Sequence, residues 1–299
     1  MLTSEELRFL ALLAAQGSLA AAARALGVTP PAVTQRLQAL EARAGVRLLE
    51  RGARRVHPTA EGELLLAEAA ELLPRLDALA DRLRERGGRV TGELRVLAPF
   101  GFGRRHVAGL VAAFQDQNPQ LRVSLTLSER PALAAREGFD VALHIGHLRD
   151  SAMVATRLAP NARFACASPA YLKRAGRPRR PAELARHRCL VIRENDEDVT
   201  VWRFRQGATN ESVRVEPALA SNDGEVVRDW VLAGRGIAIR SEWDVAAALR
   251  EGRLVRVLPS WSLPDAPVVA LAPARHALPA RSRAFVAFLR ERLSPPPWR

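Results

Sequence analysis

The sequence predicts an α+β multidomain chain: an all-helical head, a long linker helix and an α/β body. Three observations carry that prediction. The chain has 299 residues, more than the ~100–200 of one ordinary domain. From Leu2 to about Gly88 the apolar residues follow only a helical period. Beyond Gly88, short β-rich runs alternate with helical ones, the pattern of parallel sheets covered by helices. Hydrophobic residues make up 48% and charged residues 26%, which supplies real cores and excludes a disordered composition.

Several classes drop out on composition. No apolar run approaches the ~20 residues of a membrane span, so no membrane partner is expected. The chain starts Met-Leu-Thr-Ser-Glu-Glu, acidic where a secretory signal is basic, so the expected location is the cytoplasm. Two cysteines, Cys166 and Cys189, cannot make a disulfide framework or a structural zinc site. They read as buried thiols, with a redox-switch disulfide as the alternative. The net charge is +13, from 45 basic and 32 acidic residues. Lys173 is the only lysine. A GC-rich genome explains arginine over lysine but not the net excess, and a guanidinium forks onto two phosphate oxygens.

In the head, Leu7, Leu10, Ala11 and Ala14 mark the apolar stripe of a first helix ended by Gly17. Ser18 is a suitable N-cap for a second, with Ala21, Ala22 and Leu26 on its buried face and Gly27 at its end. Thr29 caps a third, with Pro30 and Pro31 in the first turn, where a missing N–H costs nothing. Val33, Leu37 and Leu40 form its apolar side. Two short helices around a glycine turn make a helix-turn-helix. The exposed start of the third helix (Pro30, Pro31, Thr34, Gln35, Arg36) is polar and uncluttered, as entry into a major groove requires. Thr34 and Gln35 suit base edges, Arg36 a base or phosphate, and the prolines a thymine methyl. From Val46 to Val56 two β-like runs flank a glycine turn, a winged hairpin with Arg51, Arg54 and Arg55 on or beside the turn. Seven arginines face two glutamates between Arg24 and Arg55, a local charge of +5. A solvated charged face is the bland alternative. Turn, helix and wing together favour duplex DNA.

These residues resemble a known family. Leu7-x-x-Leu10, Gly17-Ser18-Leu19, Ala22-Ala23-x-x-Leu26, Pro30 to Thr34, Leu40-Glu41, Gly45, Leu48-Leu49-x-Arg51 and Thr59-x-x-Gly62 look like the winged helix-turn-helix of LysR-type transcriptional regulators. Thr34 replaces the usual serine and keeps the hydroxyl, and Leu49 replaces a usual phenylalanine. The candidate DNA contacts are Ser18, Thr29, Pro30, Pro31, Thr34, Gln35, Arg36, Arg51, Arg54 and Arg55.

Thr59 opens a long helix in which Leu65, Ala69, Leu72, Leu76, Leu79 and Leu83 form a heptad seam. Such a seam pairs two chains or packs on its own head, and a regulator reading a two-fold site favours pairing. The resemblance implies the same. Pro74 is expected to kink or loosen this helix.

After Gly87-Gly88, residues 94–98, 121–127 and 139–144 read as strands, with a helix from about Arg104 to Gln117. Val191, Trp202, Val213 and Ala218 mark further strands. Asp223 to Leu232 reads as a helix, Gly236 to Ile239 as a strand, and Phe285 to Leu293 as a closing helix. Asp140-Val141-Ala142, Ala167 to Leu172, Gly234-x-Gly236-Ile237-Ala238 and Gly252 to Val255 resemble the family's effector-binding domain. The resemblance implies a periplasmic-binding-protein-like body of two α/β lobes with a ligand cleft. Expected boundaries are 1–60 for the head, 61–88 for the linker and 89–299 for the body, with lobe I at 92–163 and 267–293 and lobe II at 164–266.

No catalytic signature is found: no Gly-x-Ser-x-Gly, Walker loop or His-Glu-x-x-His. Phe100-Gly101-Phe102-Gly103 follows the first strand, where a doubly wound fold opens its crevice. Small residues there let a carboxylate reach helix N–H groups. Two phenylalanines where the family carries hydroxyls hint at a partly apolar or aromatic effector, or else plug the core. His144 ends a strand beside the crevice, and with His147 it has too few companions for a metal. Asp223 is an N-cap or a cleft residue; Arg240 serves ligand specificity or a salt bridge. The effector candidates are thus Phe100, Gly101, Phe102, His144, Arg193, Asn222, Asp223 and Arg240. No catalytic residue, metal or cofactor is expected. The expected partners are promoter DNA, a small-molecule effector and further copies of the chain as dimer or tetramer. The alternative is a two-lobed binding protein or enzyme without DNA.

Overall fold

The computed structural model describes residues 2–51, 56–85, 90–129, 138–146, 153–193, 199–273 and 278–299; of residues 51, 74, 77, 78, 80–85 and 273 only the backbone is described. The chain divides into two compact units, Met1–Gly88 with Arg275–Pro279, and Arg89–Ala274 with Ala280–Arg299.

In the first unit, α1 (Ser4–Gln16) opens with a capping box: Thr3 N–H donates to Glu6 Oε2 at 2.9 Å and Glu6 N–H to Thr3 Oγ1 at 3.3 Å. Gly17, Gly27 and Gly45 end α1, α2 (Leu19–Leu26) and α3 (Pro30–Ala44), each in the left-handed conformation that glycine adopts without strain. Ser18 caps α2 through Ala21 N–H, 3.2 Å. Thr29 occupies the N-cap position of α3, but its side chain makes no capping bond. Phe9, Leu10, Leu13, Ala22, Ala23, Val33, Leu37, Leu40, Leu48 and Leu49 form the core. Two expectations fail here. α1 buries Phe9 and Leu13 more deeply than Ala11 and Ala14, since the larger side chains complete the 6, 9, 10, 13 face. In α2, Ala22 and Ala23 are buried and Leu26 is exposed, because only small residues fit the close crossing with α1 and α3.

β1 (Leu49–Arg51) and β2 (Val56–Pro58) pair antiparallel as the expected hairpin. Arg54 and Arg55 lie outside the described residues. α4 (Ala60–Glu85) runs on through Pro74 as a continuous helix. Thr59 caps it, accepting from Gly62 N–H at 3.0 Å. The seam divides: Leu65 packs on the head core and Ala69 is 1% exposed, whereas Leu72, Leu76 and Leu79 are 44%, 47% and 51% exposed.

The second unit holds two five-stranded sheets among the described residues. In the first, β3 (Gly92–Ala98) lies parallel between β4 (Leu121–Leu127) and β5 (Val141–Ile145). β14 (Val268–Pro273) joins antiparallel between β5 and β6 (Met153–Ala159). In the second, the order is β11 (Pro217–Ser221), β8 (Cys189–Ile192), β12 (Ile237–Ser241), β7 (Arg163–Ala167) and β13 (Val255–Arg256), with β11, β8 and β12 parallel. A separate hairpin pairs β9 (Val201–Gln206) with β10 (Thr209–Arg214). We call the halves lobe I and lobe II. The chain crosses between them at residues 160–162 and again at 266–267.

The helix α5 after β3 is three contiguous pieces: Phe100–Phe102, a π-helical turn over Gly103–Val107, and Ala108–Gln117. It covers the first sheet together with α9 (Ala280–Arg292). In lobe II, α6 (Pro169–Ala175), α7 (Gly224–Leu232) and α8 (Glu242–Arg250) cover the second sheet. Cys166 and Cys189 belong to separate core clusters, on β7 and β8 with β12 between them. Burial pushes both thiols up to about 12. A disulfide needs Cα atoms within about 7 Å, so the redox pair is excluded in this fold.

Candidate nucleic-acid interface and ligand cleft

The outer face of α3 follows from its core face. With Val33, Leu37 and Leu40 inward, Pro31, Gln35 and Gln38 point away from the core and are exposed, with Thr34 half-buried beside them. Gln38 was not singled out from the sequence. Its i+3 spacing from Gln35 was the available signal. Pro30 and Thr29 are exposed at the start of the helix. Arg36 is engaged within the head. Its guanidinium lies 4.6 Å from the Phe9 ring centroid and donates to Glu5 Oε1 at 2.6 Å, so it braces α3 against α1. Arg43 makes a second brace to the capping-box Glu6. The Thr3 N–H and hydroxyl bonds, with Arg43 nearby, hold the Glu6 carboxyl below its ordinary range. Of Arg51 only the backbone, in β1, is described.

In the second unit, the carboxyl ends of β3, β4 and β5 face those of β8, β11 and β12, where a doubly wound fold binds ligands. The structure sorts the expected cleft residues. Phe100 is half-buried at the rim, and its N–H donates to Glu129 Oε1 at 2.8 Å. The acceptor seat at the start of α5 is therefore filled by a carboxylate of the same chain. Arg193 and Asn222 are exposed at the ends of β8 and β11. His144 is half-buried on β5 opposite Val269. His147 lies outside the described residues. Among the described residues no group of three or more His, Cys, Asp or Glu is placed to hold a metal.

The other four expected cleft residues are engaged within the protein, Asp223 and Arg240 as the N-cap and the salt bridge that the sequence also allowed. Phe102 is fully buried, packed edge-on against Trp243 and Trp298. Gly101 faces lobe II so closely that a Cβ would stand 3.1 Å from both Glu225 Cγ and Trp243. Asp223 caps α7 through Glu225 N–H at 2.8 Å and accepts from Arg104 at 2.9 Å, so both its oxygens are engaged. Arg240, 4% exposed, donates to Asp244 Oδ2 from Nε at 2.8 Å and Nη2 at 2.6 Å.

These contacts belong to a clasp between the lobes. Arg104 of α5 donates to Glu225 Oε2 at 2.6 Å and pairs with Asp223. Those bonds, to Glu225 first, raise its guanidinium further. Arg105 donates to Asp244 Oδ1 at 2.9 Å. Asp244, 2% exposed, thus takes guanidinium bonds from Arg105, Arg228 and Arg240. The π turn places Arg104, Arg105 and His106 in succession at this contact.

The family described as "LysR substrate binding domain" matches residues 87–294, and "Bacterial regulatory helix-turn-helix protein, lysR family" matches residues 4–63. The chain belongs to the LysR family of transcriptional regulators. It is therefore a DNA-binding regulator with an effector-binding domain, not an enzyme, in a family whose members form oligomers. Among its LysR relatives, the transcriptional regulator DmlR of Escherichia coli K12 is 37% identical over 286 residues, 96% of this chain and 93% of DmlR. The activator TtdR of the same strain is 37% identical over 259 residues, 87% of this chain and 84% of TtdR. The structure of CrgA, a LysR-type regulator of Neisseria meningitidis, matches at TM-score 0.62 and 30% identity, over 98% of this chain and 99% of CrgA. The virulence activator AphB of Vibrio cholerae shares the LysR fold at TM-score 0.60 and 24% identity, over 96% of this chain and 98% of AphB. No helix among the described residues is long and apolar enough to cross a membrane.

Proposed function

We propose that α3 reads promoter DNA through Pro30, Pro31, Thr34, Gln35 and Gln38, with Ser18, Thr29 and the wing arginines 51, 54 and 55 on the phosphate backbone. The observation that carries this is the polar outer face of α3, offered while its inner face is locked in the core and Arg36 is held aside. A glutamine suits the paired acceptor and donor of adenine. Titration on the protein's own promoter tests it. Gln35→Ala and Gln38→Ala each lower affinity for promoter DNA about 10-fold and leave binding to mixed-sequence DNA unchanged. Equal affinity for the promoter would remove α3 from base reading.

The head (1–60) is carried by a stalk (61–88) that pairs two chains through Leu72, Leu76 and Leu79, and the body (89–299) extends the dimer to a tetramer. The protein works in the cytoplasm, where its promoter lies. Exposed leucines at heptad spacing beyond the part that seats on the head support the pairing. Leu76→Glu then lowers the mass in sedimentation from the tetramer to the body-paired dimer, and an unchanged mass would refute the stalk.

The effector sits between Phe100 and Glu129 of lobe I and Arg193 and Asn222 of lobe II. Because Glu129 already fills the seat for an acid on lobe I, the ligand is a small organic acid that brings its carboxylate to Arg193 and a hydroxyl donor to Glu129. Thermal shifts with lactate against its deoxy parent propionate test it. The hydroxy acid stabilises the protein more, and Glu129→Gln erases the difference. Equal shifts in the unmodified protein would reject that ligand class.

A further inference from the structure

We propose that lobe II carries a second polyanion-binding face, at the end of its sheet opposite the ligand crevice, which grips the phosphate backbone of duplex DNA beyond the bases read by α3. From Lys173 to Arg188 the chain holds seven basic residues and the single acid Glu183, so this stretch carries +6 of the net +13. That exceeds the +5 of the stretch holding the reading helix and wing.

The fold gathers these charges. Strands β8 and β12 point their carboxyl ends at the crevice, so Arg188 and Arg235, which precede them, stand at the opposite end. Arg188 Nε donates to the Arg235 carbonyl at 3.2 Å, and Arg174 Nη2 to the Gly234 carbonyl at 2.9 Å. Arg174, Arg188 and Arg235 thus meet on one turn, all exposed. Arg177, Arg179, Arg180 and Arg186 are exposed on the adjoining loop and 3-10 turn.

The bonding differs from that at the crevice. There, Arg104, Arg105, Arg228 and Arg240 all pair with carboxylates. On the outer face, the acceptors of Arg174 and Arg188 are carbonyl groups, which orient a guanidinium without cancelling its charge. The ion pair on this stretch is the loose Arg180–Glu183, 3.8 Å. In the sequence the acidic run Glu194 to Asp198 comes after β8 and outside this stretch.

Closely spaced guanidinium forks match a partner with one charge per ~1.7 Å, which duplex DNA has and an acidic protein surface does not approach. The heads deliver that partner, since a face on the same chain meets bound DNA at high effective concentration.

The full-length Arg177→Ala/Arg179→Ala/Arg180→Ala/Arg186→Ala variant tests the face on a mixed-sequence duplex of about 80 base pairs, between about 50 and 200 mM salt. All four side chains are solvent-facing, and an unchanged melting curve certifies the fold. The slope of log affinity against log salt becomes shallower by about 2–4, and low-salt affinity falls at least about tenfold. The lysine counterpart at the same four positions keeps the slope. An unchanged slope in the alanine variant overturns the proposal, including the case in which the face serves an acidic protein. Gln35→Ala alters promoter preference without changing the slope, so failure of base reading by α3 and failure of this face give different results.

Discussion

Asn161 and Ala266 are bonded to each other twice, Asn161 Nδ2 to the Ala266 carbonyl at 2.8 Å and Ala266 N–H to the Asn161 carbonyl at 3.1 Å. They are the points where the two interlobe crossovers touch. Asn161 Oδ1 also accepts from Trp243 N–H at 3.3 Å, which ties the hinge to the first turn of α8. Asn161→Ala leaves buried partners unpaired at about 1–3 kcal/mol each. The expected outcome is a lower urea midpoint with faster hydrogen exchange at Trp243 and Ala266. Unchanged exchange there would show that the hinge does not depend on this side chain.

Asp244 is the buried carboxylate on which three guanidinium groups converge. Asp244→Asn keeps the shape and removes the charge, leaving Arg240 buried without a counterion. Breaking one side of a buried pair costs about 3–5 kcal/mol. Denaturant unfolding measures it. Arg105→Ala costs less, because Arg105 is partly solvated and Asp244 keeps two other partners.

His106 lies between Phe102, Trp243 and Trp298 at the lobe contact. Burial, then the Arg105 charge, hold its imidazole below the ordinary value, while Trp243 backbone and Asp244 pull the other way. The folded state therefore takes up this proton later than the unfolded chain does. The contribution is complete above the unfolded value near 6.5 and is lost as pH falls through the lower folded value. The midpoint drops on acidification from pH 7 to 5, and His106→Phe, which keeps the ring packing, drops less. Parallel curves for the two proteins would contradict this.

Gly62 sits where a Cβ would overlap the Leu48 carbonyl oxygen. The obstacle is backbone, so Gly62→Ala has to push the base of the wing away from α4. The expected result is a loss of more than about 2 kcal/mol in the head. It is read as earlier melting of the head signals, with the body transition unchanged.

Much of the head was legible because its rules are local. Ser18, Gly17, Gly27 and the proline pair speak for caps and turns within four residues of themselves. Leu26 misled because apolarity predicted burial, whereas close helix crossing selected Ala22 and Ala23. In the body, the strands announced themselves, but the clasp did not. Arg105 and Asp244 are 139 residues apart, and Arg104 and Glu225 are 121 apart. Phe102 stood after a strand end where cleft residues belong, and no local signal told that Trp243 of lobe II would cover it, whereas the four-residue step from Arg240 to Asp244 was in reach of the sequence. Glu129 was missed because a carboxylate that fills an acid's seat leaves no spacing pattern.

The wing is welded to its stalk. Thr59 donates its hydroxyl to the Arg47 carbonyl at 2.8 Å and its N–H to the Leu48 carbonyl at 3.0 Å, and Gly62 lets the first turn of α4 lie flush on that same peptide. Torque on the stalk is therefore transmitted to the hairpin without slack, as a rudder follows its shaft. Any twist imposed along the 26 residues of α4 re-aims the wing.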